Sequence, residues 1–144
     1  MNIPEALTIS SEFSEEDKKF LFQNLIAHNV QATHELLRKP GIDIGLALKN
    51  DQGQVFGGIF CYTFLYCLYI DDLWIDERCR GMGYGKALLA EAERIARELG
   101  CSFAHTCTFS FQAPDFYQRN GYQIFGKLDD YPEGIIEYFL KKKL

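Results

Sequence analysis

Residues 73–89 read LWIDERCRGMGYGKALL, and this stretch decides the fold. It opens on the apolar Leu-x-Ile pattern of a strand, and glycines then occupy positions 81, 83 and 85. From residue 86 to residue 99 apolar residues recur on one helical face, and Gly100 follows as the expected C-terminal cap. The stretch therefore predicts a strand, a glycine loop and a helix in direct succession.

The glycine loop is typical of an anion-binding site. Without a Cβ, consecutive backbone N–H groups can converge on one point, and glycine can adopt positive φ angles. The helix that follows adds its own unpaired N–H groups and the positive end of its dipole. Together these features favour a site for a diphosphate.

The spacing of the loop separates it from two common phosphate motifs. A P-loop would need glycine where Arg80 stands and a hydroxyl residue where Ala87 stands. A dinucleotide-binding fingerprint would need a third glycine where Lys86 or Leu88 stands. What remains is the pattern Arg-x-x-Gly-x-Gly, which begins at Arg80.

The rest of the chain predicts further helices and strands on both sides of this unit. A helix begins after Ser14, a plausible N-cap, and a second helical stretch covers about 30–38. A short helix begins near Pro114 and ends by Gly121. Strands are predicted over residues 42–48, 54–64, 66–75, 101–109, 123–126 and 135–140. This order predicts an α/β fold in α+β layers, with a mixed, mostly antiparallel sheet of six to seven strands and about four helices.

Composition limits the class of protein. The chain has 144 residues, of which 47% are hydrophobic and 24% charged, so a single globular domain over residues 1–144 is expected. The net charge of −5 argues against nucleic acid, and the basic run 141–143 is interpreted as a solubilising tail on a last strand rather than a phosphate-binding patch. The five cysteines lack C-x-x-C spacing, so neither a disulfide framework nor a metal site is expected. With no signal-peptide pattern and no membrane-spanning run, a cytoplasmic protein without membrane partners is expected.

Two motifs resemble those of one family. The run Arg80-x-x-Gly-x-Gly after a strand resembles the acetyl-CoA loop of the GNAT N-acyltransferase superfamily. Some thirty residues on, the run APDFYQRNGY from Ala113 to Tyr122 resembles that superfamily's second motif, A-x-x-F-Y-x-x-x-G-F/Y. The resemblance extends weakly over nearly the whole chain, and it implies the GNAT fold, with acetyl-CoA as cosubstrate.

The resemblance also implies which residues bind the cosubstrate. In the family, backbone N–H groups of the loop hold the pyrophosphate, and these map to Gly81, Gly83, Tyr84, Gly85 and Lys86. The side chains of Arg80 and Lys86 could add positive charge. Leu73 and Ile75 stand where the family pairs a strand with the pantetheine arm, and the Leu73 N–H would face the thioester carbonyl. Ser110 stands where the family often has an asparagine that contacts this arm.

Candidate catalytic groups come from the strand and from the second motif. The apolar face of the strand needs an odd step from Ile70 to Leu73, so a β-bulge is expected near Asp71 and Asp72. An amine of pKa about 10.4 must lose a proton before it attacks, and Asp71, Asp72 or a water could take it. Tyr117 aligns with the tyrosine that serves as general acid in many members.

Other candidates in the chain are weaker. Glu77 is expected in the loop beyond the strand. His105 and Cys107 lie on one strand with no third member of a catalytic set, and the family usually transfers the acyl group directly. A Cys107 nucleophile is therefore disfavoured.

Three functional hypotheses follow from the sequence. The first is an acetyl-CoA-dependent N-acetyltransferase that acts on a small-molecule or peptidyl amine, with a homodimer allowed. The alternative is a CoA-binding regulatory module without turnover, against which Tyr117 and the acidic bulge argue. The third is a nucleotide-binding protein that uses the same loop. The acceptor amine and the acyl-chain preference are left open.

Overall fold

The computed structural model of the chain describes residues 6–34, 36 and 41–144. By its internal contacts the chain divides into two units, Met1–Lys39 and Pro40–Leu144. Within the described residues, no helix has the length and apolarity that crossing a bilayer requires.

The first unit contains helix α1, Glu15–Ala32. It begins with a capping box, because the Asp17 N–H donates to Ser14 Oγ at 3.1 Å and the Ser14 N–H donates to Asp17 Oδ2 at 2.7 Å. The predicted start at Ser14 is thus confirmed. The prediction of a separate helix from residue 30 is wrong at its beginning, since α1 continues unbroken through Ala32; residues 35 and 37–38 of that prediction lie outside the described residues.

The second unit is a six-stranded sheet with two helices. Its elements are β1 Asp43–Lys49, β2 Val55–Phe64, β3 Cys67–Ile75, α2 Tyr84–Glu98, β4 Phe103–Phe109, α3 Pro114–Arg119, β5 Gln123–Leu128 and β6 Glu137–Lys143. The strand order is β1-β2-β3-β4-β6-β5, and β3 and β4 form the one parallel pair of this sheet. The predicted mixed, mostly antiparallel sheet is confirmed. The described residues contain three α-helices where about four were predicted.

The core lies between the sheet and α2. Leu89, Ala92 and Ala96 form the buried face of the helix, at the spacing that the sequence predicted. They belong to one buried cluster with side chains of five strands: Ile44, Ile59, Cys61, Leu68, Ile70, Ala104 and Leu140. This packing fixes the beginning of α2, and with it the glycine loop, against the end of β3.

A β-bulge interrupts the pairing of β2 with β3, as the sequence predicted. Phe60 pairs with Asp72 and Cys61 pairs with Ile70, so Asp71 is the extra residue. The bulge explains the odd step in the apolar pattern, because it lets the strand continue with its apolar residues facing α2.

The parallel strands β3 and β4 diverge near the same point. They pair only from Cys67 to Tyr69, with residues 103–105 of β4. One more link follows, in which the Thr106 hydroxyl donates to the Ile70 carbonyl at 2.9 Å. Beyond Ile70 the edge of β3 that faces β4 has no strand partner among the described residues, and a cleft opens there.

Candidate active site

The cleft between β3 and β4 has a volume of about 870 Å³ and joins the two sequence motifs. Its walls are the end of β3, the glycine loop, the first turn of α2, the end of β4 and helix α3. The predicted site residues that line it are Asp71, Asp72, Leu73, Ile75, Arg80, Gly81, Gly83, Tyr84, Gly85, Lys86 and Tyr117. Thus residues far apart in sequence meet in one place.

The glycine loop forms an open cradle at one end of the cleft. Gly81 and Gly83 have φ angles of +74° and +86°, which side-chain-bearing residues rarely adopt. A Cβ added at either position would meet no atom within 4 Å, so the space above both residues is open. Gly83 is the N-cap of α2 and offers no side chain to its first N–H groups. These N–H groups are therefore available to an anion, and the loop fits the diphosphate of the expected cosubstrate.

Position 85 requires glycine for a different structural reason. A Cβ there would lie 3.3 Å from the ring of Phe116, on α3. The glycine thus lets the first turn of α2 approach the second motif closely. This contact is what places Phe116 and Tyr117 beside the loop.

Cationic side chains surround the cradle. Arg80, Lys86 and Arg119 line the cleft, and within the described part of the chain none of the three forms an ion pair. The Nε of Arg80 donates to the Ile75 carbonyl at 2.9 Å, which fixes its guanidinium at the end of β3. In a chain of net charge −5, this local positive charge is complementary to a polyanionic ligand.

Tyr117 lies on α3 with 6% of its surface exposed. Its ring packs edge-on against Phe116 and Tyr122, at centroid distances of 5.2 and 5.5 Å. Burial raises the pKa of Tyr117 to about 12, while the Thr106 hydroxyl opposes the rise. The phenol is therefore protonated at every pH near neutrality, as a proton donor requires.

The two bulge carboxylates are exposed at the cleft, and they influence different neighbours. Burial is the main cause that raises the pKa of Cys107; the Glu137 carboxylate adds to the rise, and the charge of Asp71 adds a smaller part. Burial is likewise the main cause for Tyr117, and there the charge of Asp72 is the smallest of the contributions. The charges of both carboxylates thus reach groups on the walls of the cleft.

Ser110 lies outside the cleft lining. Its hydroxyl accepts the Ile136 N–H at 3.1 Å and donates to the Gly134 carbonyl at 3.2 Å. The hydroxyl is thus engaged within the protein, and its contact with the CoA arm stays a prediction.

The structure also places the three weaker sequence candidates, Glu77, His105 and Cys107. Glu77 is in the 3-10 turn before the glycine loop, outside the cleft lining. Cys107 lines the cleft, but its sulfur lies 3.5 Å from the hydroxyl of Tyr69, and the His105 ring packs edge-on against Tyr69 at 4.7 Å. Within the described residues no group of three His, Cys, Asp or Glu side chains has a metal-binding arrangement.

Sequence reasoning missed several residues that line the cleft. They are Trp74, Thr108, Phe111, Gln112, Arg119 and Asn120. The sequence could have indicated Trp74. Side chains alternate regularly after the bulge, so Trp74 lies on the face opposite to Leu73 and Ile75. Phe111 and Gln112 directly precede the second motif, but nothing in their spacing distinguishes a cleft wall from an exposed loop.

Comparison with known proteins agrees with this geometry. The model of the acetyltransferase (GNAT) family matches residues 8–122. A blasticidin-S acetyltransferase of Streptomyces morookaense is 42% identical over 96 residues, which are 66% of this chain and 71% of that protein. An acetyltransferase of Agrobacterium fabrum is 31% identical over 128 residues, which are 89% of this chain and 91% of that protein.

A solved structure agrees over nearly the full length. The crystal structure of an acetyltransferase from Bacillus cereus has a TM-score of 0.88 and 35% identity to this chain. The match covers 95% of this chain and 98% of that one.

Proposed function

The chain belongs to the GNAT family of acetyltransferases, and from this premise we propose that it transfers the acetyl group of acetyl-CoA directly to a primary amine of a small molecule. One observation carries the proposal. The glycine cradle, the unpaired edge of β3, the bulge carboxylates and the buried Tyr117 all line a single cleft. Each supplies one requirement of amine acylation.

The cradle and the strand edge supply binding. When bound, acetyl-CoA provides the activated acyl group and a thiol as leaving group. The N–H groups from Gly81 to Lys86 would hold its diphosphate, with Arg80 and Lys86 adding charge. The edge of β3 beyond Ile70 can pair with an extended arm as an added strand would, and the Leu73 N–H is then a single donor for the thioester oxygen.

The bulge supplies a proton acceptor. An alkyl amine has a pKa of about 10.4, so near pH 7 it arrives as an ammonium ion and must be deprotonated before attack. Asp71 and Asp72 are carboxylates at the cleft, and either can hold the cation and take the proton directly or through water. Tyr117 supplies the opposite transfer, since its phenol can protonate the departing thiolate.

The acceptor class rests on the relatives. The Streptomyces morookaense relative is named for acetylating blasticidin S, a small molecule. Its 42% identity to this chain favours a small-molecule amine over a protein substrate, and it makes blasticidin S one acceptor to test.

A screen of acceptors tests the proposal. The purified protein is incubated with acetyl-CoA and a panel of primary amines that includes blasticidin S, and release of free thiol is followed. We expect amine-dependent release that far exceeds hydrolysis without amine, and mass spectrometry should find the acetylated amine.

Two other outcomes would contradict the proposal. Acetyl-CoA binding without transfer to any amine would support the regulatory module. Protection from thermal unfolding by ATP or NAD, but not by CoA, would support the nucleotide-binding protein.

A further inference from the structure

Three aromatic rings form a platform, and one of them, Phe111, lines the cleft. Phe109 and Phe111 stack with their centroids 5.3 Å apart and an interplanar angle of 8°, and Tyr131 packs edge-on against Phe109 at 5.4 Å. We call these three residues the aromatic platform. Phe111 lines the cleft, yet 67% of its surface is exposed. A large apolar side chain left so exposed beside a reaction site is a candidate contact for a ligand.

The loop that carries Phe111 is held in place. The side-chain oxygen of Gln112 accepts the Phe109 N–H at 2.9 Å, and the Gln112 N–H donates to the Phe109 carbonyl at 2.8 Å. On the other side the Ser110 N–H donates to the Ile136 carbonyl at 2.8 Å, and the Ser110 hydroxyl accepts the Ile136 N–H. Ser110 thus holds the loop of the platform against the residue before β6. A ring that is already ordered loses little conformational entropy when a ligand stacks on it.

A carboxylate stands beside the platform. Glu137 pairs directly with Phe109 across β4 and β6, so the two side chains lie on the same face of the sheet. The Tyr131 hydroxyl donates to Glu137 Oε2 at 2.8 Å, which orients the carboxylate next to the rings. A carboxylate has about four lone-pair sites, so it can accept further hydrogen bonds from a ligand.

We infer that the aromatic platform and Glu137 form the recognition subsite for the acceptor, and that this acceptor carries its primary alkyl amine on a short chain attached to a planar aromatic or heteroaromatic ring. The inference rests on the proposed function and specifies its substrate class. Phe111 can stack its exposed face on the ring, while Glu137 accepts a hydrogen bond from an N–H or cationic group at the ring's rim. The amine is then directed into the cleft that contains Asp71 and Tyr117. A flexible aliphatic amine would not make the stacking contact.

A matched pair of amines tests the platform. 2-Phenylethylamine and 2-cyclohexylethylamine carry the same charge and nearly the same bulk, but only the first has a flat ring. Phe111→Leu should raise KM for 2-phenylethylamine roughly three- to tenfold, with little change for the cyclohexyl compound. KM for acetyl-CoA should be unchanged. The control is Phe125→Leu, which removes a phenylalanine 55% exposed on β5 and outside the cleft lining; it should change neither amine's KM.

A second pair tests Glu137. 4-(Aminomethyl)benzamidine adds a planar cation to the ring of benzylamine, at the edge opposite the reacting amine. Glu137→Gln should raise KM for the benzamidine roughly tenfold or more, because a charge-assisted hydrogen bond is lost. The same variant should change KM for benzylamine much less.

A binding measurement separates failure of this inference from failure of the proposed function. Trp74 is the one tryptophan of the chain and lines the cleft, so its fluorescence can report amine binding to the CoA-saturated protein without turnover. Tighter binding of 2-phenylethylamine than of its cyclohexyl analogue, weakened by Phe111→Leu, supports the subsite even if no amine is acetylated. Equal binding, or acetylation of both amines with equal sensitivity to Phe111→Leu, overturns the subsite and leaves the acetyltransferase proposal intact.

Discussion

Tyr117 illustrates at the scale of one residue how burial and chemistry are connected. The aromatic rings around it raise its pKa to about 12, so it releases its proton only to a strong base or to a partner in direct contact. An ordinary thiol has a pKa near 8.5, and a bare thiolate in the cleft is best stabilised by a hydrogen-bond donor fixed in position. A buried, rigid phenol meets that need.

The first prediction concerns Tyr117→Phe. Removing one oxygen keeps the ring packing, so the fold and the affinity for acetyl-CoA should be retained while turnover falls by about 10²-fold or more. Because the phenol is protonated throughout pH 7–10, the fall should be uniform and the shape of the pH–rate profile should not change. Stopped-time thiol assays across this range, with calorimetry for affinity, check it. Wild-type turnover in the variant would reduce Tyr117 to a packing role.

The second prediction separates Asp71 from Asp72. Each Asp→Asn substitution keeps the size of the side chain and removes its charge. If Asp71 takes the amine proton, Asp71→Asn should lower kcat and alter the acidic limb of the pH–rate profile, while Asp72→Asn should do so much less. We favour Asp71, since it is the extra residue of the bulge at the cleft.

Salt dependence identifies the alternative role of the pair. If the carboxylates only attract a cation, KM should rise in both variants, more at low salt than at high salt, with kcat unchanged. Unchanged kinetics in both single variants and in the double variant would show that neither carboxylate takes part.

At the scale of the element, the glycine loop depends on backbone conformation. Gly83 and Gly100 flank α2, both have positive φ angles, and a Cβ at either would meet no atom within 4 Å. They differ in that Gly83 lines the cleft and Gly100 does not. The pair therefore separates conformational strain from ligand contact.

The third prediction uses this pair. Gly83→Glu and Gly100→Glu should each destabilise the fold by about 1–2 kcal/mol, because both force a left-handed conformation on a non-glycine residue. Only Gly83→Glu should abolish acetyl-CoA binding in calorimetry, since it places bulk and negative charge where the diphosphate is proposed. Equal affinity in two folded variants would move the cosubstrate site away from the loop.

The bulge is the second element on which the site depends. Deleting Asp71 would restore regular pairing between β2 and β3 while keeping Ile70 and Leu73 on the apolar face. The fourth prediction is a folded protein that has lost tenfold or more of its acetyl-CoA affinity, because a regular β3 no longer bends away from β4. Asp71→Asn is the control, since it removes the charge and keeps the bulge. Unchanged affinity after the deletion would show that the divergence of the strands does not depend on the bulge.

The same elements show how far the sequence can be interpreted. The loop, the bulge and the boundaries of α2 depend on local rules, such as glycine positions and apolar spacing, so residues 73–100 were predicted closely. The platform depends on pairing between β4 and β6, which brings Ile136 to Ser110 and Tyr131 to Phe109. No local pattern encodes that approach. For this reason the sequence indicated neither the hydrogen bonds of Ser110 to β6 nor the place of Phe111 in the cleft wall.

At the scale of the whole molecule, one buried carboxylate connects α2, the turn between α3 and β5, and the last strand. Glu93 is 3% exposed. Its carboxylate accepts hydrogen bonds from the Lys142 ammonium at 2.8 and 3.0 Å and from the Tyr122 hydroxyl at 3.0 Å. The basic run 141–143, interpreted from sequence as a solubilising tail on a last strand, belongs to the last strand itself, β6. Tyr122 in turn packs against Tyr117, so the network supports the wall of the cleft.

The last prediction is that this network, more than any surface ion pair, sets global stability. Glu93→Ala leaves a half-buried ammonium and a buried hydroxyl without their partner, and it should lower the free energy of unfolding by about 3–5 kcal/mol. Glu91→Ala is the matched control on the same helix, because Glu91 forms its ion pair, with Arg94, in solvent. Glu91→Ala should lower the free energy of unfolding by about 1 kcal/mol or less. Urea unfolding at pH 7 measures both. Adding Lys142→Met and Tyr122→Phe to Glu93→Ala should recover part of the loss, since the buried partners are then removed and only the exposed Arg97, 3.5 Å from Glu93, has lost its carboxylate. Similar losses for the two single variants would mean that the buried carboxylate is no more important than a surface one.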